Sequence, residues 1–205
     1  MKNILFLIFL FVVFFAKSTF ALIEIDITRG NLNPLPIAVS PLHVESKSSE
    51  ILQEIKVGSE ISKIIENNLL RSGLFNPLEK DSFVQKPDIA HLKPRFEDWK
   101  LIKAQALITG KVNITNDKLR IEFRLWDILA AKELMALAFT TVPNNWRRVA
   151  HIITDKIYKR LTGEEGYFDT RIIYVAEKGP KNQRIKRLAI MDQDGANTKY
   201  LTLGN

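Results

Sequence analysis

No cysteine occurs anywhere in the 205 residues. Disulfides, thiolate zinc sites, thiol nucleophiles and a lipidated N-terminal cysteine are therefore excluded together. Histidine is nearly as scarce, with His43, His91 and His151 alone. None stands at a helical i, i+4 spacing from a second ligand, and the chain has no His-Glu-x-x-His, so a zinc hydrolase has no ligand set here. The nucleophile elbow Gly-x-Ser-x-Gly, the phosphate loop and Gly-x-Gly-x-x-Gly are missing as well. Asp192, Asp194 and Gly195 have the look of part of a calcium loop but lack the terminal Glu of an EF-hand, and read better as a hairpin turn. Glu164 and Glu165 flank a glycine-rich junction and read as solvated linker charges, not as a general acid and base. The expectation is a non-enzymatic chain with no metal, no cofactor and no small-molecule substrate.

Long apolar runs are also absent, with one exception. Ile4 to Phe15 is an unbroken apolar stretch of twelve, preceded by Lys2 and followed by Lys17, Ser18, Thr19, Phe20 and Ala21. A basic start, an apolar centre and small residues at −3 and −1 are the layout of a secretory leader. Cleavage is expected between Ala21 and Leu22. A spanning helix needs roughly 20 apolar residues, so an uncleaved anchor is the lesser alternative. The formal charge is +7, and falls to +5 without the leader, which holds two lysines and no acid. The remaining basic residues are spread out. The nearest cluster, Lys178, Lys181, Arg184, Lys186 and Arg187, reads as a solvated strand edge and not as a nucleic-acid patch.

With 46% hydrophobic and 26% charged residues, the rest has the composition of a globular protein. Leu22 to Thr28 alternates isoleucine with polar residues, the period of a strand with one apolar face, and Arg29-Gly30-Asn31 breaks it. Pro36 to Val44 is extended, and prolines 34, 36 and 41 place it at an edge or a strand start. A helix is expected over 59–72, with Ile61, Ile64, Ile65, Asn68 and Leu69 on one face and Gly73 at its C-terminal cap. Residues 79–95 read as a surface loop and 96–102 as a short helix. Strands follow around Ala106 to Ile114 and Leu119 to Leu125, joined by a turn at Asn116-Asp117. A third, Leu134 to Val142, is apolar on both faces and reads as central, or as covered by another domain. Val149, Ile153, Ile157 and Leu161 mark a second helix over 146–161, capped by Asn144 or Asn145 and ended by Gly163. The fold class is α/β, with two long helices packed on a mixed sheet. Beyond Gly166 the pattern turns to short strands about Gly179-Pro180 and Asp194-Gly195.

Several strings are particular. Pro36-Ile37-Ala38-Val39-Ser40-Pro41 resembles the opening core strand of the TolB family of the Tol-Pal system. Leu70 to Leu78 is similar to the end of that family's first helix. The helix opened by Trp146-Arg147-Arg148-Val149-Ala150-His151 and closed by Lys159-Arg160-Leu161-Thr162-Gly163 is similar too. Gly166 to Val175 resembles the passage into the family's β-propeller, and Asp192 to Asn197 the turn of its first blade.

The resemblance implies four parts: a signal peptide at 1–21, a partner-binding strand at 22–33, an α/β domain at 34–163, and a linker with an incomplete first blade at 164–205. It implies a periplasmic adaptor that binds the C-terminal domain of TolA and supports outer-membrane integrity and invagination during cell division. The TolA-binding segment maps by position to Leu22, Ile23, Glu24, Ile25, Asp26, Ile27, Thr28, Arg29, Gly30, Asn31, Leu32 and Asn33. Strand addition suits it, because backbone bonds supply affinity and alternate isoleucines supply register. The family's binding of Pal belongs to a propeller of 4–8 blades, and residues 166–205 supply one at best. Relative to the family the sequence reads as C-terminally truncated, and a lone hairpin there is expected to be loosely held. The competing readings are a small exported hydrolase, a truncated remnant, and a free-standing basic module that binds the envelope.

Overall fold

The computed structural model describes residue 23 and residues 33–44, 51–115 and 118–204. Of the twelve residues assigned to the partner-binding strand, only Ile23 and Asn33 fall among these. The leader, the strand pattern of 24–28 and the Asn116-Asp117 turn lie outside them.

Five strands form the main path of a mixed sheet. They are β1 (Leu35–Val39), β3 (Phe75–Pro77), β4 (Ala106–Thr115), β5 (Lys118–Asp127) and β6 (Lys132–Thr141), in the order β3-β1-β4-β5-β6. A two-residue strand, β2 (His43–Val44), also pairs with β4. β1 runs parallel to both β3 and β4, while β4, β5 and β6 pair antiparallel. Two long helices, α1 (Ile51–Arg71) and α4 (Trp146–Thr162), cover one face. Two short ones, α2 (Pro87–Ala90) and α3 (Phe96–Leu101), accompany the other.

Alternation along the strands builds both layers. Ile37 and Val39 of β1, with Ala106 and Ile108 of β4, enter the large core under α1 and α4 beside Ile61, Ile65, Leu69, Ile153 and Ile157. Ala38, Leu107 and Trp126 point the other way and pack with Trp99, Ala90 and Ile128. Strand β5 divides as its sequence requires: Leu119, Ile121, Phe123 and Leu125 are buried, while Arg120 and Arg124 are exposed.

Two expectations are narrowed and two corrected. Of the two readings of the proline-marked segment, an edge or a strand start, the second holds: Pro36 is the second residue of β1, which lies between β3 and β4. Its prolines are tolerated because the carbonyl of Pro36 accepts from Gln105 N–H at 2.9 Å, and the missing donor faces the side where β4 has not yet begun. The strand apolar on both faces is not central: it is the outer strand, β6, with Leu137 40% exposed, which leaves the reading in which another domain covers it. The first helix starts eight residues earlier than its clean periodicity suggests. Gly58 lies inside it, where a Cβ would stand 2.7 Å from the carbonyl oxygen of Leu42, so glycine lets the helix approach the β1–β2 connection. Finally, part of 79–95 is not a surface loop. Gln85 is buried there, its Oε1 accepting from Arg95 N–H (2.8 Å) and Trp99 Nε1–H (3.0 Å), its Nε2 donating to Lys93 O (3.2 Å).

Helix α4 ends at Gly163 in a left-handed conformation (φ +78°). At its other end Asn145 stands in the N-cap position without a side-chain cap bond, and its amide donates to Thr141 Oγ1 instead. The linker then folds back on α4. The Asp155 carboxylate accepts from Phe168 N–H (2.7 Å) and Asp169 N–H (3.1 Å), and Phe168 is fully buried. Strands β7 (Arg171–Lys178), β8 (Ile185–Asp192) and β9 (Lys199–Tyr200) form a separate antiparallel meander. This unit contacts the α/β domain through its linker and through the turn after β8.

Candidate functional site

Two places answer to the sequence reading. The first is the chain's entry into the domain. Ile23 packs against the large core, and its N–H donates to Asp127 Oδ2 at 3.3 Å. Asp127 is fully buried at the end of β5, and its other oxygen holds Ala130 N–H at 2.8 Å, shaping the β5–β6 turn. Among the described residues, every buried core side chain belongs to Leu35 or later.

The second place is the junction between α1, α4 and the turn after β8. Asn68 is its hub, fully buried on the apolar stripe of α1. Its Nδ2 meets His151 Nδ1 at 2.9 Å and Thr154 Oγ1 at 3.2 Å, both on α4. Its Oδ1 accepts from Arg71 Nη2 at 2.5 Å and from Gln193 Nε2, across the junction, at 3.1 Å. The next turn residue, Asp194, takes Arg147 Nη2 on Oδ2 at 2.5 Å. Arg148 reaches Asp169 of the linker at 3.2 Å. Beside these contacts lies a cleft of about 430 Å³, lined among others by Asn144, Arg148, His151, Asp169 and Lys199.

His151 is 2% exposed, and burial pushes its proton affinity below that of an ordinary histidine. Asp194 opposes this shift and Arg147 reinforces it, with Asp192 and Asp169 adding weaker opposition. The ligand atoms of His151, Asp192 and Asp194 lie within 4.8 Å of one another, close enough to hold a metal ion. Their bonding argues against that use. Asp194 Oδ1 is taken by Ala196 N–H at 3.1 Å, its Oδ2 by Arg147, and Asp192 Oδ2 by Asn197 at 2.5 Å. Gly195, at φ +85°, donates its N–H to Asp192 O at 2.9 Å, which is the hairpin turn expected from Asp194-Gly195.

The basic cluster is solvated and partly neutralised: Arg184 and Lys186 both pair with Glu177, which this lowers below the usual carboxylate range. Arg187 lies over the Tyr200 ring at 5.2 Å. His43 and His91 stack at 4.4 Å, away from His151. Sequence reasoning missed the hub. Its one signal was Asn68 itself, an amide on a face otherwise made of isoleucine and leucine.

Fold and junction define the class: an α/β domain with helices on both faces of a mixed sheet, docked through polar contacts onto an antiparallel meander. The TolB amino-terminal domain family matches residues 23–134, more than half of the chain, and the chain belongs to the TolB family. It is 70% identical over 204 residues to the Tol-Pal system protein TolB of Pelagibacter ubique, covering 98% of this chain and 46% of that protein. The crystal structure of TolB from Acinetobacter baumannii has the same fold, with a TM-score of 0.67 at 23% identity over 88% of this chain and 41% of that one. The chain thus spans a little under half the length of these relatives.

Proposed function

We propose that this chain is a non-enzymatic, periplasmic adaptor of the Tol-Pal system that binds the C-terminal domain of TolA through residues 22–33. The boundaries of this reading are a leader at 1–21, the binding segment at 22–33, the α/β domain at 34–163, and the linker and first-blade strands at 164–205. No helix among the described residues is long and apolar enough to cross a membrane, and export rests on the leader pattern.

One observation supports the segment's role above the others. The match to the TolB amino-terminal domain family begins inside this segment, at residue 23. Ile23 is only half-buried where it packs on the core, and a segment that becomes ordered on a partner meets its ordering cost at binding. On a partner's sheet Ile25 and Ile27 would supply the apolar face, with Ile23 leaving its place against the large core. The reading assigns TolA, and not Pal, to these residues. Coupling to TolA is the route by which the chain would serve outer-membrane integrity and invagination during division.

Two substitutions test the strand. Ile25→Pro removes a backbone donor and should abolish binding to the TolA C-terminal domain. Glu24→Gln leaves the backbone intact and should change affinity by less than about tenfold, since exposed ion pairs contribute about 0–1 kcal/mol. Equal affinity for the Pro variant would rule out strand addition.

A further inference from the structure

The orientation of the Asn68 amide fixes the state of His151. A guanidinium only donates, so the 2.5 Å contact from Arg71 marks the facing Asn68 atom as oxygen, and Gln193 Nε2 donates to the same atom. The amide nitrogen therefore faces His151 Nδ1 and Thr154 Oγ1. Thr154 is already committed as a donor to Ala150 O at 2.8 Å, and it accepts from Asn68. With a donor pointed at it, Nδ1 must hold a lone pair, and the neutral ring carries its proton on Nε2. That Nε2 is buried without a hydrogen-bond partner, and the nearest carboxylate oxygen, Asp194 Oδ2, stands 3.6 Å away. A metal ion would need the Nε2 lone pair that this arrangement removes. A proton is the ligand that remains, and only Nδ1 can receive it.

We propose that His151 is a proton-binding site that makes the junction acid-labile, releasing the turn 192–195 from α1 and α4 when Nδ1 is protonated. The new Nδ1–H would face the two N–H groups of Asn68. Turning the Asn68 amide over would remove that clash, but would then set its NH2 against the Arg71 guanidinium and lose the bond to Gln193. Either outcome breaks a bond of the hub. The charged groups around the ring are Arg147 of α4, Arg71 of α1 behind Asn68, Asp192 and Asp194 of the turn, and Asp169 of the linker. The aspartates favour the charged ring. Burial is the largest influence and opposes it, with Arg147 acting in the same direction.

The sign follows from linkage. The closed junction holds the neutral ring, whereas an opened one exposes a histidine with an ordinary value of about 6.5. The open form then binds more protons as pH falls below about 6.5, and the open-to-closed ratio rises by up to about tenfold per pH unit until the lowered value of the closed state is reached. Docking is complete above that window and weakens on descent through it.

The test is NMR of the chain labelled with ¹⁵N-histidine, with His151→Gln to assign the resonance, and amide exchange of β8 followed from pH 7.5 to 5. At pH 7.5 the His151 ring should be protonated at Nε2. Exchange in β8, corrected for its intrinsic pH dependence, should accelerate by up to about fivefold between pH 6.5 and 5.5 in the parent chain and stay flat in His151→Gln. Asn68→Asp supplies an acceptor for Nδ1–H, and should move the midpoint of the His151 ring titration to higher pH and reduce the acid acceleration of β8 exchange, whether or not the glutamine variant folds. A ring protonated at Nδ1 at pH 7.5, an unchanged midpoint in Asn68→Asp, or saturable zinc binding that depends on His151 would each overturn the proposal. So would an equal acceleration in His151→Gln.

Discussion

Replacing Asn68 with alanine deletes four hydrogen bonds at one stroke, yet they do not count equally. Arg71 and Gln193 are only part-buried in their bonds to Asn68, so water can replace the lost acceptor and little is lost. His151 and Thr154 are 2% and 0% exposed, and water cannot follow. Thr154 keeps its bond to Ala150, which limits its loss to one accepted bond of about 1 kcal/mol. His151 Nδ1 is left as a buried, unpartnered acceptor at a cost of about 1–3 kcal/mol. The expected destabilisation is about 2–4 kcal/mol, read from urea unfolding of the chain followed by tryptophan fluorescence. A loss below about 0.5 kcal/mol would show that the amide is not the hub of the junction, and the tautomer argument for His151 would fall with it.

Gly58→Ala should lower the unfolding temperature, because the methyl's 2.7 Å approach to Leu42 O costs more than the roughly 1 kcal/mol that alanine gains in a helix. Phe123→Ala removes a ring that is 1% exposed and stacked on Phe139. It should cost about 3–5 kcal/mol by denaturant unfolding. Asp155→Ala leaves the N–H groups of Phe168 and Asp169 without their carboxylate. Limited proteolysis should then cut within 163–170 faster than in the parent chain, while the α/β domain persists as a protected fragment.

The helices and the antiparallel strands were legible because their periodicities are those of half-buried elements. The stepped apolar positions from Val149 to Leu161 lie within α4, and Leu119, Ile121, Phe123 and Leu125 are buried on one side of β5. Errors came where tertiary context overrules local pattern. Pro36 left an edge and a strand start open, and only the tertiary pairing of β1 with β3 and β4 decides for the start. The outer strand β6 carries the apolar letters of a central one. Gly58 disguises the first turns of α1, because its reason for being there is Leu42, sixteen residues upstream. The hub was illegible for a related reason. Asn68, His151 and Gln193 are separated by 83 and 125 positions from the partners they meet, and no short-range spacing encodes such a meeting. The candidate partner segment shows the opposite case: its alternation is plain in sequence, and its role comes from the family.

Deletion of that segment addresses the central claim most directly. Calorimetric titration of the TolA C-terminal domain would compare a chain beginning at Leu22 with one beginning at Pro34, circular dichroism confirming that both are folded. The account predicts saturable binding by the longer chain and none by the shorter. Equal affinity for the two would contradict it.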